Sequence, residues 1–129
     1  MLEMADSIPE DVRRFILTSV PTVPHLETLL ILWREPDKSW LVEQLAARIY
    51  VQVTTVQSLL DDLCEAELLE CGGEPRLYRS RREPASLAEL ISAVDRTYAR
   101  QLREVAELIH SNVDRKAARF AQAFSWRKH

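Results

Sequence analysis

The fold is decided by residues 39–82, with the sequence SWLVEQLAARIYVQVTTVQSLLDDLCEAELLECGGEPRLYRSRR. Apolar residues recur every four positions over residues 40–49, a spacing that predicts a short amphipathic helix. A brief connection at residues 50–52 precedes a second apolar series at helical spacing over residues 54–66. The adjacent Gly72 and Gly73 then separate two short segments typical of strands joined by a tight turn. The predicted order is therefore helix, turn, helix and hairpin.

The second helix of this segment carries its own start signal. Residues 54–57, Thr-Thr-Val-Gln, have the form of a capping box, in which a threonine hydroxyl accepts a hydrogen bond from an exposed backbone N–H and the glutamine reaches back. This predicts that the helix begins near Thr54. The side expected to face the core comprises Val56, Leu59, Leu60, Leu63 and Ala66.

The stretch Leu41 to Arg79 resembles the core of bacterial winged helix-turn-helix regulators of the MarR-like type. Glu43-Gln44-Leu45-Ala46 loosely matches the Glu-Leu-Ala element that these proteins carry in the first helix. The valine and leucines of residues 56–63 have the spacing of the family's recognition helix, which also carries a polar Ser/Thr cluster. Ala66-Glu67-Leu68-Leu69 matches the family's Ala-Gly-Leu-Val ending except at Glu67. The resemblance covers about forty residues. It implies a mainly α fold with a small β-hairpin wing and a function in transcription regulation.

Binding to double-stranded DNA would use two kinds of side chain in this segment. Short polar side chains at the front of the second helix can enter the major groove, where a glutamine amide pairs with an adenine edge. Cations on the hairpin can neutralise phosphates and fix the orientation of the protein. The candidate DNA-binding residues are Thr54, Thr55, Gln57, Ser58, Arg76, Arg79, Arg81 and Arg82.

Charge in the same segment leaves other interpretations open. Residues 51–75 contain no Lys or Arg and six acidic residues, which is unusual for a DNA reader. The threonines could serve only to cap the helix, and the arginines could pair with Glu83, Glu89 or the acidic N-terminal half. Winged helices also act as protein-docking modules. The alternative function is therefore a protein–protein interaction module that does not bind DNA directly.

Two further helices are predicted before this segment. Ile8-Pro9-Glu10 has the proline and the acidic residue typical of a helix start, and Pro21 and Pro24 end that helix. A second helix is expected over about residues 25–34, where leucines and a tryptophan form a buried stripe. We therefore expect a winged helix-turn-helix domain over residues 1–84.

The remaining residues, 85–129, are predicted to form a C-terminal helical extension for dimerisation or docking. Apolar positions stay in register from Leu87 to Ile109, which corresponds to roughly 36 Å of helix. Because this exceeds the width of a winged-helix core, we expect a homodimer through this long helix. Ser111-Asn112 breaks the pattern before a short final helix, which carries Val113, Ala117, Phe120, Ala121 and Phe124. The aromatic residues either face the core or form a tail, ending in residues 126–129, that docks a separate protein.

Length and charge limit the classes of protein that remain. A chain of 129 residues suffices for one compact domain with an appended helix. Its net charge of −3 combines −9 over residues 1–75 with +6 over residues 76–129. A polyanion would therefore meet the second half, unless the two halves attract each other. The longest apolar run, Leu29 to Trp33, is far too short to cross a membrane. We expect a soluble cytoplasmic protein without a membrane partner.

No part of the sequence has the spacing of an enzyme site. Only two glycines are present, so a Gly-rich phosphate loop is excluded, and the three histidines have no neighbour at a recurrent metal-ligand spacing. We expect no catalytic activity, no metal and no cofactor. Cys64 and Cys71 do not form a CxxC motif, and reduced thiols are expected in preference to a disulfide.

Overall fold

The computed structural model describes the backbone of residues 7–127 and the side chains of residues 7–116. Over this range the fold is mainly helical, with one small antiparallel hairpin, as the sequence predicts. The elements are α1 (Glu10–Ser19), α2 (Val23–Arg34), α3 (Val42–Ile49), α4 (Val53–Glu65), β1 (Leu69–Gly72), β2 (Leu77–Ser80), α5 (Ala85–Arg100) and α6 (Leu102–Arg127). This arrangement is compatible with a winged helix. Two compact units divide the chain, one made of Pro24–Asp95 and the other of the segments before and after it.

The unit Pro24–Asp95 contains the helices α3 and α4 and the hairpin. Because apolar residues recur at helical spacing on both helices, each presents one buried side, and the two helices pack against each other. Between them, Tyr50 adopts a left-handed conformation (φ 58°) that ends α3, and the chain turns into α4 at Val53. The largest fully buried side chains of this unit are Leu26, Leu30, Leu32, Leu45, Val56, Leu60, Leu63, Tyr78 and Ile91.

The hairpin is anchored to the rest of this unit through β2. β1 and β2 pair with Leu69 opposite Ser80 and Gly72 opposite Leu77, and Gly73 adopts a positive φ of 99° in the turn between them. Trp40 pairs with Tyr78 by two backbone hydrogen bonds of 2.8 and 2.9 Å. β2 therefore lies between Trp40 and β1, and β1 is the outer strand.

The second unit contains α1 and α6. α1 packs against α6, and the side-chain amide nitrogen of Asn112 donates a hydrogen bond of 3.0 Å to the backbone oxygen of Leu17. The polar residue that the sequence places at a predicted helix break thus contacts α1 instead. The buried apolar side chains of this unit are Val12, Phe15, Ile16, Val20, Tyr98, Val105, Leu108 and Ile109.

The predicted division of the C-terminal helices is wrong. The chain leaves helical geometry at Gln101, and the helix that follows continues through Ser111-Asn112 to Arg127. The stripe from Leu87 to Ile109 is therefore shared by a helix of 16 residues and a helix of 26 residues. Val113, expected on a buried side, is 44% exposed. The side chains of Ala117, Phe120, Ala121, Phe124 and residues 126–129 lie outside the described residues.

The predicted state of the cysteines is also wrong. Cys64 in α4 and Cys71 in β1 form a disulfide, with their Cα atoms 6.3 Å apart. Spacing along the chain had favoured free thiols, whereas the fold turns β1 back beside the end of α4 and brings the two sulfurs together. A covalent link therefore joins α4 to the outer strand of the hairpin.

A membrane crossing requires a helix that is both long and apolar. No single helix within residues 7–127 meets both requirements, and only two consecutive helices taken together, Glu10–Ser19 and Val23–Arg34, pass on length and composition.

Candidate nucleic-acid interface

The first turn and a half of α4 presents an exposed polar surface. Thr54, Thr55 and Ser58 are exposed, and none of their hydroxyls has a hydrogen-bond partner in the described part of the chain. The predicted capping box is wrong, because α4 begins at Val53 and its N-cap residue, Gln52, makes no side-chain cap hydrogen bond. The two threonines therefore lie inside the first turn, where their hydroxyls can contact an external ligand.

Gln57 differs from these residues because its amide is already in use. Its Nε2 atom donates hydrogen bonds to Oδ1 of Asp61 at 3.0 Å and to the hydroxyl of Tyr78 at 2.9 Å. An adenine edge is recognised by both the oxygen and the nitrogen of a glutamine amide, so base pairing would require these two bonds to break. In this structure Gln57 instead connects α4 to β2.

The four candidate arginines differ in how far their charges are already paired. Arg76, in the hairpin turn, is exposed and has its guanidinium 5.6 Å from the centre of the Tyr78 ring, with no carboxylate partner among the described residues. Arg79 is half exposed and lies 3.8 Å from Glu70 on the opposite strand. Arg76 is therefore the member of this group whose charge is most available to a polyanion.

Arg81 and Arg82 have structural contacts. Arg81 lies 3.5 Å from a carboxylate oxygen of Glu67 and donates a hydrogen bond of 3.2 Å to the backbone oxygen of the same residue. The guanidinium of Arg82 stacks on the Trp33 ring at 3.6 Å, donates to the Trp33 backbone oxygen and reaches Oγ of Ser80 at 3.2 Å. These contacts fix the chain that leaves the hairpin.

Two cations of this unit were missed by the sequence analysis. Arg48, in the last turn of α3, is exposed and without an ion-pair partner in the described residues, and the Lys38 ammonium lies 3.7 Å over the Trp40 ring. Both line an open groove of about 650 Å³, whose other lining residues are Glu35, Trp40, Gln44, Ala47 and Tyr50. A signal for Arg48 was available, because it lies in the last turn of the predicted first helix, two residues before the predicted turn at residues 50–52.

A hydrogen bond between a buried histidine and an exposed aspartate on two different helices was also missed. His25 in α2 is buried, and its Nε2 atom lies 2.8 Å from Oδ2 of Asp62 in α4. The two residues are 37 positions apart, and neither belongs to a recognisable motif. Asp62 therefore helps to hold α4 against α2 and is not simply part of a solvated acidic surface.

The charge of the unit Pro24–Asp95 is strongly negative. It carries seven Lys or Arg and thirteen Asp or Glu, and Arg34, Arg79 and Arg81 form ion pairs with carboxylates within it. The acidic residues of α4 follow the polar first turns, so the exposed hydroxyls form the neutral part of this helix. An approaching phosphate would meet least repulsion at that end.

Comparisons with known protein families, with curated proteins and with solved structures gave no significant match. The resemblance to MarR-like regulators therefore depends on the residues quoted above. Within the described part of the chain, no cluster of three or more His, Cys, Asp or Glu has the geometry to hold a metal ion.

Proposed function

We propose that this chain is a winged helix-turn-helix protein that binds double-stranded DNA and regulates transcription. The observation that carries the proposal is the exposed front of α4, where Thr54, Thr55 and Ser58 have no partner in the described residues and directly follow a short helix and a tight turn. An α-helix fits the major groove, and hydroxyls bind phosphate or base edges there.

The proposed role of each side chain follows from the contacts that it makes. Thr54, Thr55 and Ser58 enter the groove, and Gln57 keeps α4 aligned with the hairpin through Tyr78. Arg76 reaches the phosphates from the hairpin turn. The guanidinium groups of Arg79, Arg81 and Arg82 contribute less, because carboxylates or the Trp33 ring already hold them. With so few free cations, the affinity should be modest and should vary little with salt.

Fluorescence anisotropy with a mixed pool of duplex DNA at about 50 mM salt tests this proposal. The test variant is Thr54→Glu/Ser58→Glu, which places two carboxylates at the front of α4. The matched control is Ser86→Glu/Ser111→Glu, which changes two exposed side chains outside α4 by the same charge. We expect the wild type and the control to bind, and the test variant to bind at least about tenfold more weakly. Absence of binding by the wild type would overturn the proposal.

The pairing of hairpin arginines favours a second candidate function. Arg79 with Glu70 and Arg81 with Glu67 neutralise each other locally, in a unit whose net charge is negative. A docking module for another protein needs no excess of cations, and the exposed Tyr50 and Val53 supply apolar contact area beside the polar front of α4. If the wild type fails to bind DNA at low salt, this function becomes the leading one.

A further inference from the structure

We propose that the Cys64–Cys71 disulfide is a thiol–disulfide exchange site, and that its reduction releases the end of β1 and the hairpin turn, residues 70–76, from α4 while the helices of the unit Pro24–Asp95 stay folded. The release follows from the geometry of the hairpin alone. Its consequence for DNA binding rests on the proposed function, and the experiment below separates the two.

The two cysteines belong to elements that differ in how firmly they are held. Cys64 lies in the last full turn of α4, a helix with four buried apolar side chains. Cys71 lies in β1, the outer strand of the hairpin. Outer strands have hydrogen-bond partners on one side only and open more readily than central ones. The disulfide therefore ties a weakly held element to a firmly held one.

Backbone geometry explains why the disulfide is needed to hold β1 in place at Cys71. Tyr78 directs both its N–H and its C=O towards Trp40. In an antiparallel pair these two groups of one residue point to the same side, so Tyr78 and the opposite Cys71 form a pair without mutual backbone hydrogen bonds. At this position β1 is held in place by its side chain, and that side chain is the disulfide.

After reduction β1 keeps its two hydrogen-bonded pairs with β2, Glu70–Arg79 and Gly72–Leu77, but both pairs are exposed to solvent and a two-stranded hairpin is only marginally stable by itself. The buried contacts of β1 lie at one end of the strand. Leu68 and Leu69 are buried and would keep the start of the strand in place. From Gly72 through Leu77 every residue is exposed. The segment expected to detach is therefore residues 70–76, whereas Tyr78 keeps its two hydrogen bonds to Trp40 and its bond from Gln57.

Both cysteines are half-buried, so a small reagent can approach the sulfurs. The reductant is a dithiol: one thiolate attacks a sulfur of the disulfide, forms a mixed disulfide and releases the other cysteine as a thiolate, which takes up a proton. The second thiolate of the reagent then attacks the mixed disulfide and closes an oxidised cyclic product. Two electrons and two protons pass to the protein, which ends with two thiols.

Under the proposed function, this exchange would weaken DNA binding through two neighbours of Cys71. Arg76, the most available cation of the hairpin, lies in the segment that detaches. Glu70, which pairs with Arg79, lies there too. After detachment, Arg76 no longer has a fixed position relative to the front of α4. Its contact with a phosphate then requires the segment to become ordered on binding, and the loss of conformational entropy lowers the affinity.

Hydrogen exchange of the full-length protein, with and without excess dithiothreitol, tests the release. We expect exchange of the amides in the two hydrogen-bonded pairs, Glu70–Arg79 and Gly72–Leu77, to accelerate by about tenfold or more, while amides of α3 and of Tyr78 stay unchanged. The variant Cys64→Ser/Cys71→Ser should show the fast pattern without reagent and no further response to it. Equal exchange in both states, a disulfide that resists the reagent in the folded protein, or faster exchange throughout α3 would each overturn the proposal.

Anisotropy with the duplex pool separates this proposal from the proposed function. Local release on reduction, in a protein that never binds DNA, supports the exchange site and overturns the DNA-binding function. Local release with DNA affinity that falls at least about fivefold supports both. Local release with unchanged DNA affinity overturns the regulatory role of the disulfide and leaves DNA binding intact.

Discussion

Among residues 7–127, two non-glycine residues hold a left-handed backbone conformation, Tyr50 with φ 58° and Glu67 with φ 61°. Each follows a helix, at the position where glycine is most favoured because it lacks a Cβ atom. Glu67 is also the residue that departs from the Ala-Gly-Leu-Val pattern of MarR-like proteins. A glycine would suit this position better than Glu67, because the chain adopts a positive φ between α4 and β1.

The variant Glu67→Gly should raise the free energy of unfolding by about 0.5–1 kcal/mol, because it relieves this strain. The contact that it removes, between Glu67 and Arg81, involves a glutamate side chain that is 78% exposed, so its loss costs little. Urea unfolding measures the change. The control is Glu65→Gly, two residues earlier and inside α4, which should lower the free energy of unfolding by about 1 kcal/mol. Destabilisation of similar size in both variants would contradict the prediction.

Arg82 and Arg76 should respond differently to replacement. Arg82→Ala removes the guanidinium stacked on Trp33 and two hydrogen bonds, and should destabilise the protein by about 1–2 kcal/mol. Arg76→Ala removes an exposed side chain and should change stability by less than about 0.5 kcal/mol. Urea midpoints measure both effects. A loss of DNA affinity in Arg76→Ala without a loss of stability would support its phosphate-binding role, and a stability loss as large as that of Arg82→Ala would count against it.

The residue types at the candidate site were predictable from the sequence, but their contacts were not. Thr54, Thr55 and Ser58 could be placed at the front of a helix by apolar spacing alone. The partners of Arg79, Arg81 and Gln57 depend on how the hairpin folds beside α4, which spacing does not encode. The same holds for His25 and Asp62, which tertiary packing brings together from 37 positions apart.

At the scale of elements, apolar periodicity predicted helices α1 to α4 and the hairpin to within a few residues. It failed at Gln101 because the interruption spans one residue and is flanked by helical hydrogen bonds, from Gln101 N–H to Thr97 and from Val105 N–H to Gln101. Apolar positions therefore keep their register across the break. Neither glycine nor proline marks it.

The disulfide is the covalent link between two of these elements, and its removal should be measurable in stability. Closing a loop between Cys64 and Cys71 restricts the unfolded chain, and for about eight residues the chain-entropy estimate is about 2.5 kcal/mol. Cys64→Ser/Cys71→Ser should therefore lower the free energy of unfolding by about that amount relative to the oxidised wild type. Urea titrations of both proteins test this, and adding dithiothreitol should bring the wild type to the variant's value. A wild type that is unaffected by the reagent would contradict the prediction.

At the scale of the whole molecule, the homodimer stays a prediction. The structure changes which residues are expected to form its contact. The predicted contact was one long helix from Leu87 to Ile109, but this stripe is divided between α5 and α6 and is largely buried within the chain. The exposed large apolar residues on α6 are Leu102 and Val113, among the side chains described. They lie eleven residues apart, close to three helical turns, and so on the same side of α6.

If that side of α6 contacts a second copy, Leu102→Glu/Val113→Glu should convert a species of about twice 14.9 kDa into the monomer, because paired copies would have to bury four unpartnered carboxylates. Light scattering on the full-length protein measures the mass, and circular dichroism checks that the variant is folded. Val53→Glu/Leu77→Glu makes the same two types of replacement at exposed positions of α4 and β2, and should leave the mass unchanged. A monomeric wild type at high concentration would contradict the predicted dimer, and dissociation by the control variant alone would place the contact on the unit Pro24–Asp95 instead of α6.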